Sequence, residues 1–259
     1  MIKSSLYFIY NNINSQDMGV LNCSVDSGLY EEPFFGTFNI LQETIRGRTK
    51  PYYFGKQVDQ KELNLTLSLP ENFSDEQLRE IARWLGTPDF FCPMQFSEDP
   101  EKIYFCILNS DSSVFHNGMN GYIKISMLCD SCYCYSPVYV SPLYDLSSNT
   151  INGQEISITN SGDVDAYSII TIQVINGGSF SIVNKSNGGE LIGFTQIGDL
   201  ETLTINTENE SVQSDLPLTY RLDNMSSSSK FILLKRGISR LQVYGNVKIQ
   251  FKYEARFLI

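Results

Sequence analysis

The chain has 259 residues, 42% of them hydrophobic and 19% charged, and a net charge of -10 at neutral pH. That length fits two ordinary domains better than one, and the apolar fraction can bury real cores, which excludes a disordered chain. An acidic balance argues against nucleic acid as a bound partner, since phosphate recognition needs clustered Lys and Arg. The charge is uneven: residues 1–138 hold 10 Lys and Arg against 17 Asp and Glu, a net of -7, and residues 139–259 hold 9 against 12, a net of -3.

Met1 to Tyr10 has one lysine and no long apolar run, so no signal peptide is visible. No stretch of the sequence is apolar for long enough to span a bilayer. The expectation is a soluble protein made in the cytoplasm.

The region Glu31 to Gly55 has mixed polarity, with Pro33, Gly36, Gly47, Pro51 and Gly55, and reads as loops and short strands or an extended hairpin. An exposed hairpin is one way for a subunit to reach its neighbour, although a plain surface loop is the commoner case. Within it, Arg46 and Arg48 flank Gly47 and present fork-shaped donors suited to a carboxylate on a neighbouring subunit; the alternative is a pair of solvated loop residues. Leu63, Leu65, Leu67 and Leu69 then alternate with Asn64, Thr66 and Ser68, which predicts a half-buried strand.

One helix is predicted, over residues 75–85. Ser74 is a natural N-cap and Gln77 completes a capping box, while Asp75 and Glu76 complement the helix dipole. Leu78, Ile81, Ala82 and Leu85 fall at helical spacing, and Gly86 is expected to end the helix in a left-handed conformation. Trp84, next to Leu85, is expected to pack. Two strands follow, through Lys102–Cys106 and Gly121–Ser126, with His116-Asn117-Gly118 as the turn before the second.

Ser136-Pro137 and Ser141-Pro142 bracket the expected boundary between domains 1–138 and 139–259. Beyond it, strands are expected at Ile156 and Ile158, at Ile170 to Val174, at Phe180 and Ile182, at Leu203 and Ile205, and at Val247 to Tyr253. Asn176-Gly177-Gly178 and Asn187-Gly188-Gly189 each predict a hairpin turn. Short strands at regular spacing predict an antiparallel sandwich of jelly-roll type.

Catalytic sets are missing. His116 is the only imidazole, so a serine or cysteine nucleophile has no other histidine base, and no G-x-S-x-G elbow, phosphate loop or dinucleotide fingerprint occurs. Glu31-Glu32 and Asp163 with Asp165 are acidic pairs of the kind that cleave glycosides, but such pairs in loops are far more often solvated surface. Cys129, Cys132 and Cys134 offer half of a zinc site without its second half. Buried free thiols are the better reading; if the segment is a strand, Cys132 and Cys134 share a face and Cys129 points to the other. No catalytic residue, metal or cofactor is expected.

Several motifs occur in an order shared with one family. They are the Phe8 to Asn14 stretch with Gly19 after it, Ile45-Arg46-Gly47-Arg48, Trp84-Leu85-Gly86, Lys102 to Cys106, Gly121 to Ser126, Cys129 to Ser136, and the closing Gly245 to Arg256 strand. The chain resembles the distal tail proteins of phages with long non-contractile tails. Cys132-Tyr133-Cys134 departs from that family, standing where it usually has aspartate-proline-tyrosine. The resemblance implies a mainly β protein with an N-terminal β-sandwich-like domain carrying one α-helix and a C-terminal galectin-like sandwich. It also implies a homo-hexameric ring that joins the major tail (tube) protein to a tail-associated hub or lysin protein at the virion tail tip, assembled in the host bacterial cytoplasm. A receptor-binding protein is a further partner of that setting. DNA would pass the channel without specific binding, and no membrane is involved; the net of -7 over residues 1–138 leads us to expect an acidic or neutral lumen. The rival readings are a carbohydrate-binding module for host cell-wall glycans and a tail-tip hydrolase, which the missing catalytic set disfavours.

Overall fold

The computed structural model describes every residue except 1, 3, 24–36, 118 and 259. It comprises two compact units, the first Met1–Tyr135 with Leu258–Ile259, the second Ser136–Phe257.

The first unit contains β1 (Phe8–Tyr10), β2 (Ile13–Asn14), β3 (Leu21–Cys23), β4 (Phe38–Glu43), β5 (Tyr52–Val58), β6 (Glu62–Ser68), α1 (Asp75–Gly86), β7 (Cys92–Phe96), β8 (Asp99–His116), β9 (Gly121–Cys129) and β10 (Cys134–Tyr135). Seven strands form one antiparallel sheet in the order β2-β1-β7-β8-β9-β6-β3, and β10 pairs with β8. Register follows the leucine alternation: Leu63, Leu65 and Leu67 stand opposite Met127, Ile125 and Ile123, and all six are buried. A one-residue slip would turn every one of them to water, at roughly 1.5–3 kcal/mol for each large apolar side chain.

Helix α1 begins as its sequence predicts. Ser74 Oγ accepts from the Gln77 amide at 3.3 Å, and the Gln77 side-chain oxygen accepts from the Ser74 amide at 2.9 Å. Its other end differs from expectation. Gly86 is the last helical residue rather than a left-handed cap, and the terminus is closed by Thr87, whose amide and hydroxyl both donate to the Arg83 carbonyl, at 3.1 and 2.6 Å. Pro88 has no N–H with which to extend the ladder, so the helix stops without a left-handed residue.

The buried side of α1 fixes the core of this unit. Trp84 stacks on Phe8 with ring centroids 5.6 Å apart, and its indole N–H donates to the Tyr10 carbonyl at 3.0 Å. Phe8 also meets Phe96, and Phe96 meets Tyr104, so one aromatic chain ties the helix to three strands.

The second unit contains β11 (Tyr139–Val140), β12 (Tyr144–Leu146), β13 (Gln154–Asn160), β14 (Ser168–Val174), β15 (Gly178–Asn184), β16 (Glu190–Ile197), β17 (Thr202–Asn206), β18 (Ser211–Ser214), β19 (Gly237–Tyr244) and β20 (Val247–Tyr253). One sheet runs β11-β20-β14-β17-β18 with β12 also on β20; the other runs β13-β19-β15-β16. Ile170, Ile172, Ile205, Ile249 and Phe251 from the first sheet pack with Ile158, Ile182, Phe194 and Leu241 from the second in one buried cluster. This is an antiparallel sandwich with alternating inward residues.

The two Asn-Gly-Gly turns behave differently. Asn187-Gly188-Gly189 closes a hairpin, with Asn184 paired to Glu190 across β15 and β16. Asn176-Gly177-Gly178 closes none, because β14 and β15 lie in different sheets. There φ is +65°, +65° and +110° at three successive residues, and the chain leaves one layer for the other. The composition that favours a hairpin turn also favours this crossing, since both need positive φ.

Candidate functional site

The hairpin of β4 and β5 is the feature that the core of the first unit leaves unexplained. Among the described residues its strands pair only with each other, and Thr37 and Asp59 close its base, the Asp59 amide donating to the Thr37 carbonyl at 2.8 Å. Twelve of its thirteen strand residues are exposed, among them Phe38, Ile40, Leu41, Tyr52 and Val58, with Tyr53 at 66% and Phe54 at 67%. Two-stranded hairpins are marginal in water by themselves, and this one shows large apolar side chains on both faces. Phe38 stands opposite Val58 and Ile40 opposite Lys56 on one face; Leu41 and Tyr52 belong to the other. A bulge leaves Phe54 without a cross-strand partner, since Leu41 pairs with Gly55 and Gln42 with Tyr53.

Arg46 and Arg48 lie in the turn of this hairpin. The Arg48 amide donates to the Ile45 carbonyl at 3.0 Å, and Gly47 takes φ +92°, which a side chain would strain. Both arginines are exposed, and Arg48 lies over the Tyr52 ring, 4.3 Å from its centroid. Neither has an ion-pair partner among the described residues. The part of the Glu31–Gly55 region before residue 37, with Glu31-Glu32, lies outside the described residues.

Charge separates the hairpin from everything else. Residues 37–58 carry Arg46, Arg48, Lys50 and Lys56 against Glu43, a net of +3, while the whole chain is -10; the remainder is therefore -13. Sequence reasoning singled out the two arginines and missed the apolar faces. The legible signal was Phe38-Asn39-Ile40-Leu41 and Tyr52-Tyr53-Phe54, two apolar runs whose polarity fits neither one-sided burial nor a solvated loop.

The cysteines form a second cluster of a different kind. Cys92 lies opposite Cys106, and Cys106 opposite Cys129, so three thiols cross adjacent strands in a row. Cys129 stands opposite Cys106, and Tyr135 opposite Ile103 puts Cys134 opposite Tyr104 on that same face of β8, so Cys129 and Cys134 are not on opposite faces as a continuous strand would require. The chain turns between them, because β9 ends at Cys129 and β10 starts at Cys134. Burial pushes the Cys129 thiol up to about 12, with Lys61 partly opposing, and it raises Cys106 and Cys134 as well. Such thiols stay protonated and unreactive. Among the described residues no three His, Cys, Asp or Glu side chains are placed to hold a metal ion. Iodoacetamide at neutral pH is expected to leave the five buried cysteines untouched in the native protein and to reach only the half-buried Cys23, slowly, with all six reacting after denaturation. Elemental analysis should find no stoichiometric zinc. Fast native labelling at Cys106 or Cys129, or one zinc per chain, would refute this.

His116 ends β8 and meets Phe73 edge to face, 6.0 Å between ring centroids. Asp165 is paired with Lys235 at 2.6 Å.

In the second unit one loop is built with unusual care. Glu201 is buried, yet it accepts from Ser214 Oγ at 2.6 Å, from Arg221 Nε and Nη2 at 2.8 and 2.7 Å, and from the Gly198 amide at 2.8 Å. Burial alone would push its carboxyl up; the hydrogen bonds from Arg221, Ser214 and Gly198 outweigh that and hold it below the ordinary range. The clamp fixes both ends of the segment 214–221, which presents exposed Leu216, Leu218 and Tyr220. Leu218 has φ +56°, a conformation that costs a leucine about 1 kcal/mol or more.

Residues 3–131 match the family model described as the phage tail protein N-terminal domain. Over its whole length the chain is 27% identical to the SPbeta prophage-derived uncharacterized protein YomH of Bacillus subtilis (strain 168), covering 100% of both. Among solved structures it is similar to the Dit protein (gp 19.1) of phage SPP1, at TM-score 0.74 and 12% identity, covering 97% of this chain and 99% of that one. A chain of the phage p2 baseplate in its activated conformation with Sr is similar at TM-score 0.50 and 13% identity, covering 96% and 97%. The three comparisons agree: residues 3–131 match a phage tail protein N-terminal domain, a prophage protein is similar over the full length, and the chain has the fold of the SPP1 Dit protein.

Proposed function

We propose that this chain builds a homo-hexameric ring at the tip of a phage tail, joining the tube protein on one side to a tail-associated hub protein on the other. Residues 1–138 make the ring and the sandwich of residues 139–259 projects from it as an autonomous module. DNA passes an acidic or neutral axial channel without specific binding, so the chain acts by assembly and conduction and makes or breaks no bond. The SPP1 protein, whose fold the chain shares, is described as a paradigm of the hub adsorption apparatus in phages that infect Gram-positive bacteria.

The observation that carries the reading is the exposed β4–β5 hairpin. A monomer gains nothing from holding Phe38, Ile40, Tyr53 and Phe54 in water on a two-stranded ribbon, whereas a subunit that covers them with its neighbour gains about 25 cal/mol for each Å² of apolar surface removed. A closed ring needs such a head-to-tail contact, in which different patches of the same chain meet.

Negative-stain imaging with light scattering tests it. The full chain, 29.4 kDa, is expected to give six-fold rings with a central hole, and the fragment 139–259 a monomer. Full-length particles that stay monomeric at all concentrations, or rings formed by the fragment 139–259, would overturn the assignment.

A further inference from the structure

We infer that Cys106 and Cys129 are placed to form a disulfide across β8 and β9, closing the base of that hairpin when hydrogen peroxide reaches them. The bond goes beyond the ring reading above, since it lies within the first unit of one chain.

The register selects this pair. Cys106 stands directly opposite Cys129, and Cys92 stands opposite Cys106 on its other side. Opposed residues of an antiparallel pair alternate between those that exchange hydrogen bonds and those that do not. The second kind is closer, about 4.5 Å between Cα atoms. The Asp130 amide donates to the Phe105 carbonyl at 2.8 Å, so Phe105 and Asp130 are a bonded pair and Cys106 with Cys129 is the next, unbonded one. The Cys129 amide agrees, because it points away from β8 and donates to the Lys61 carbonyl at 2.8 Å. Disulfides span Cα separations of about 4.4–6.8 Å, so the bond needs no change of register.

The neighbouring thiols fit less well. The same alternation makes Cys92 and Cys106 a bonded pair, wider at about 5.5 Å, with side chains further apart. Cys92 Sγ also donates to the Phe90 carbonyl at 3.6 Å. Cys134 stands opposite Tyr104, two residues along β8 from Cys106. Cys106 Sγ rests 3.8 Å from Met94 Sδ, on the β7 side, and one χ1 rotation turns it towards Cys129.

The reaction balances. The Cys129 thiolate, whose charge Lys61 favours, attacks one peroxide oxygen; the O–O bond breaks, and the departing hydroxide leaves as water with the thiol's proton. The Cys106 sulfur then attacks the sulfenic sulfur of Cys129, the S–O bond breaks, and the hydroxyl leaves as a second water with the Cys106 proton. Two thiols are oxidised to one disulfide, and one peroxide is reduced to two waters. Both residues are fully buried and Cys129 is raised to about 12, so the step is slow, and the product is equally shielded from reductants. A bacterial cytoplasm keeps thiols reduced, whereas a virion surface meets an oxidising medium. On the tail-tip reading the bond therefore belongs to the released particle.

The test exposes the reduced native chain to millimolar hydrogen peroxide at neutral pH for days, then denatures it, blocks free thiols and maps it by mass spectrometry. The peptides holding Cys106 and Cys129 are expected to be joined, with a loss of two hydrogens. The two residues lie 23 apart in sequence, so the bond restricts the unfolded chain, and the first unit should melt several degrees higher than before oxidation. Cys129→Ala should show neither the link nor the rise, and Cys92→Ala should keep both. Recovery of Cys106 and Cys129 unlinked, a link between Cys92 and Cys106 in their place, or the same rise in oxidised Cys129→Ala would overturn the inference.

Discussion

Alanine at Trp84 is expected to destabilise the first unit by about 3–5 kcal/mol, the range for removing a large buried aromatic side chain. Three contributions meet at this residue. The indole is buried, it stacks on Phe8 at 5.6 Å with the rings 12° from parallel, and its N–H satisfies the Tyr10 carbonyl. The substitution opens a cavity between α1 and the sheet and leaves a buried carbonyl without its donor. Calorimetry should show the transition of the first unit falling by roughly 10 °C, while the sandwich melts as before. Trp84→Phe keeps most of the stacking and loses the hydrogen bond, so a loss nearer to about 1 kcal/mol is expected. A Trp84→Ala chain that melts within about 2 °C of the native one would show that α1 does not anchor the sheet.

Glu201→Ala is expected to cost the second unit about 3–5 kcal/mol, because it leaves the Arg221 guanidinium without its partner in a largely desolvated place. The side chain of Glu201 is fully buried and that of Arg221 only 18% exposed, so solvent screens the pair little. The same change removes the clamp on residues 214–221, and Tyr220 and Leu218 should become susceptible to limited chymotrypsin cleavage. Glu201→Gln keeps the shape and one acceptor oxygen, enough for either the Ser214 or the Gly198 bond, and should cost less than alanine. The folded carboxyl lies below its ordinary value of 4.5, so its contribution is complete above that pH and declines as pH falls through the folded value. The native sandwich should therefore lose stability in acid below about pH 4.5, and Glu201→Gln should flatten that slope. Equal acid slopes in the two proteins, or a Glu201→Ala sandwich of native stability, would contradict this role for the carboxylate.

Much of the fold was legible because local chemistry and tertiary demand agree. Ser74 and Gln77 bond reciprocally in the helix start as their spacing requires, and the alternation of Leu63, Leu65 and Leu67 sets a register that only one face of the sheet can accept. The inward isoleucines of β13, β14 and β17 were equally plain. Three features were not legible for a common reason: residue type alone does not tell which neighbour a segment will meet. Gly86 could have capped the helix, but Pro88 and the Thr87 hydroxyl end it first. Asn176-Gly177-Gly178 supplies positive φ equally well to a hairpin or to a change of sheet, and only the pairing of β14 with β17 and β20 decides. Cys129 and Cys134 share a face of the sheet because the chain turns between them.

The mainly β class, the one helix, the strand faces, the acidic balance and the interest of Arg46 and Arg48 can all be read along the chain, since period, caps and charge are local properties. That Phe38, Ile40, Tyr53 and Phe54 are left without a core is a matter of tertiary packing, because burial depends on what the rest of the chain places against a strand. The approach of the helix entry to the β8–β9 turn has the same origin: one backbone hydrogen bond joins Asn72 to Met119 across 47 residues of sequence.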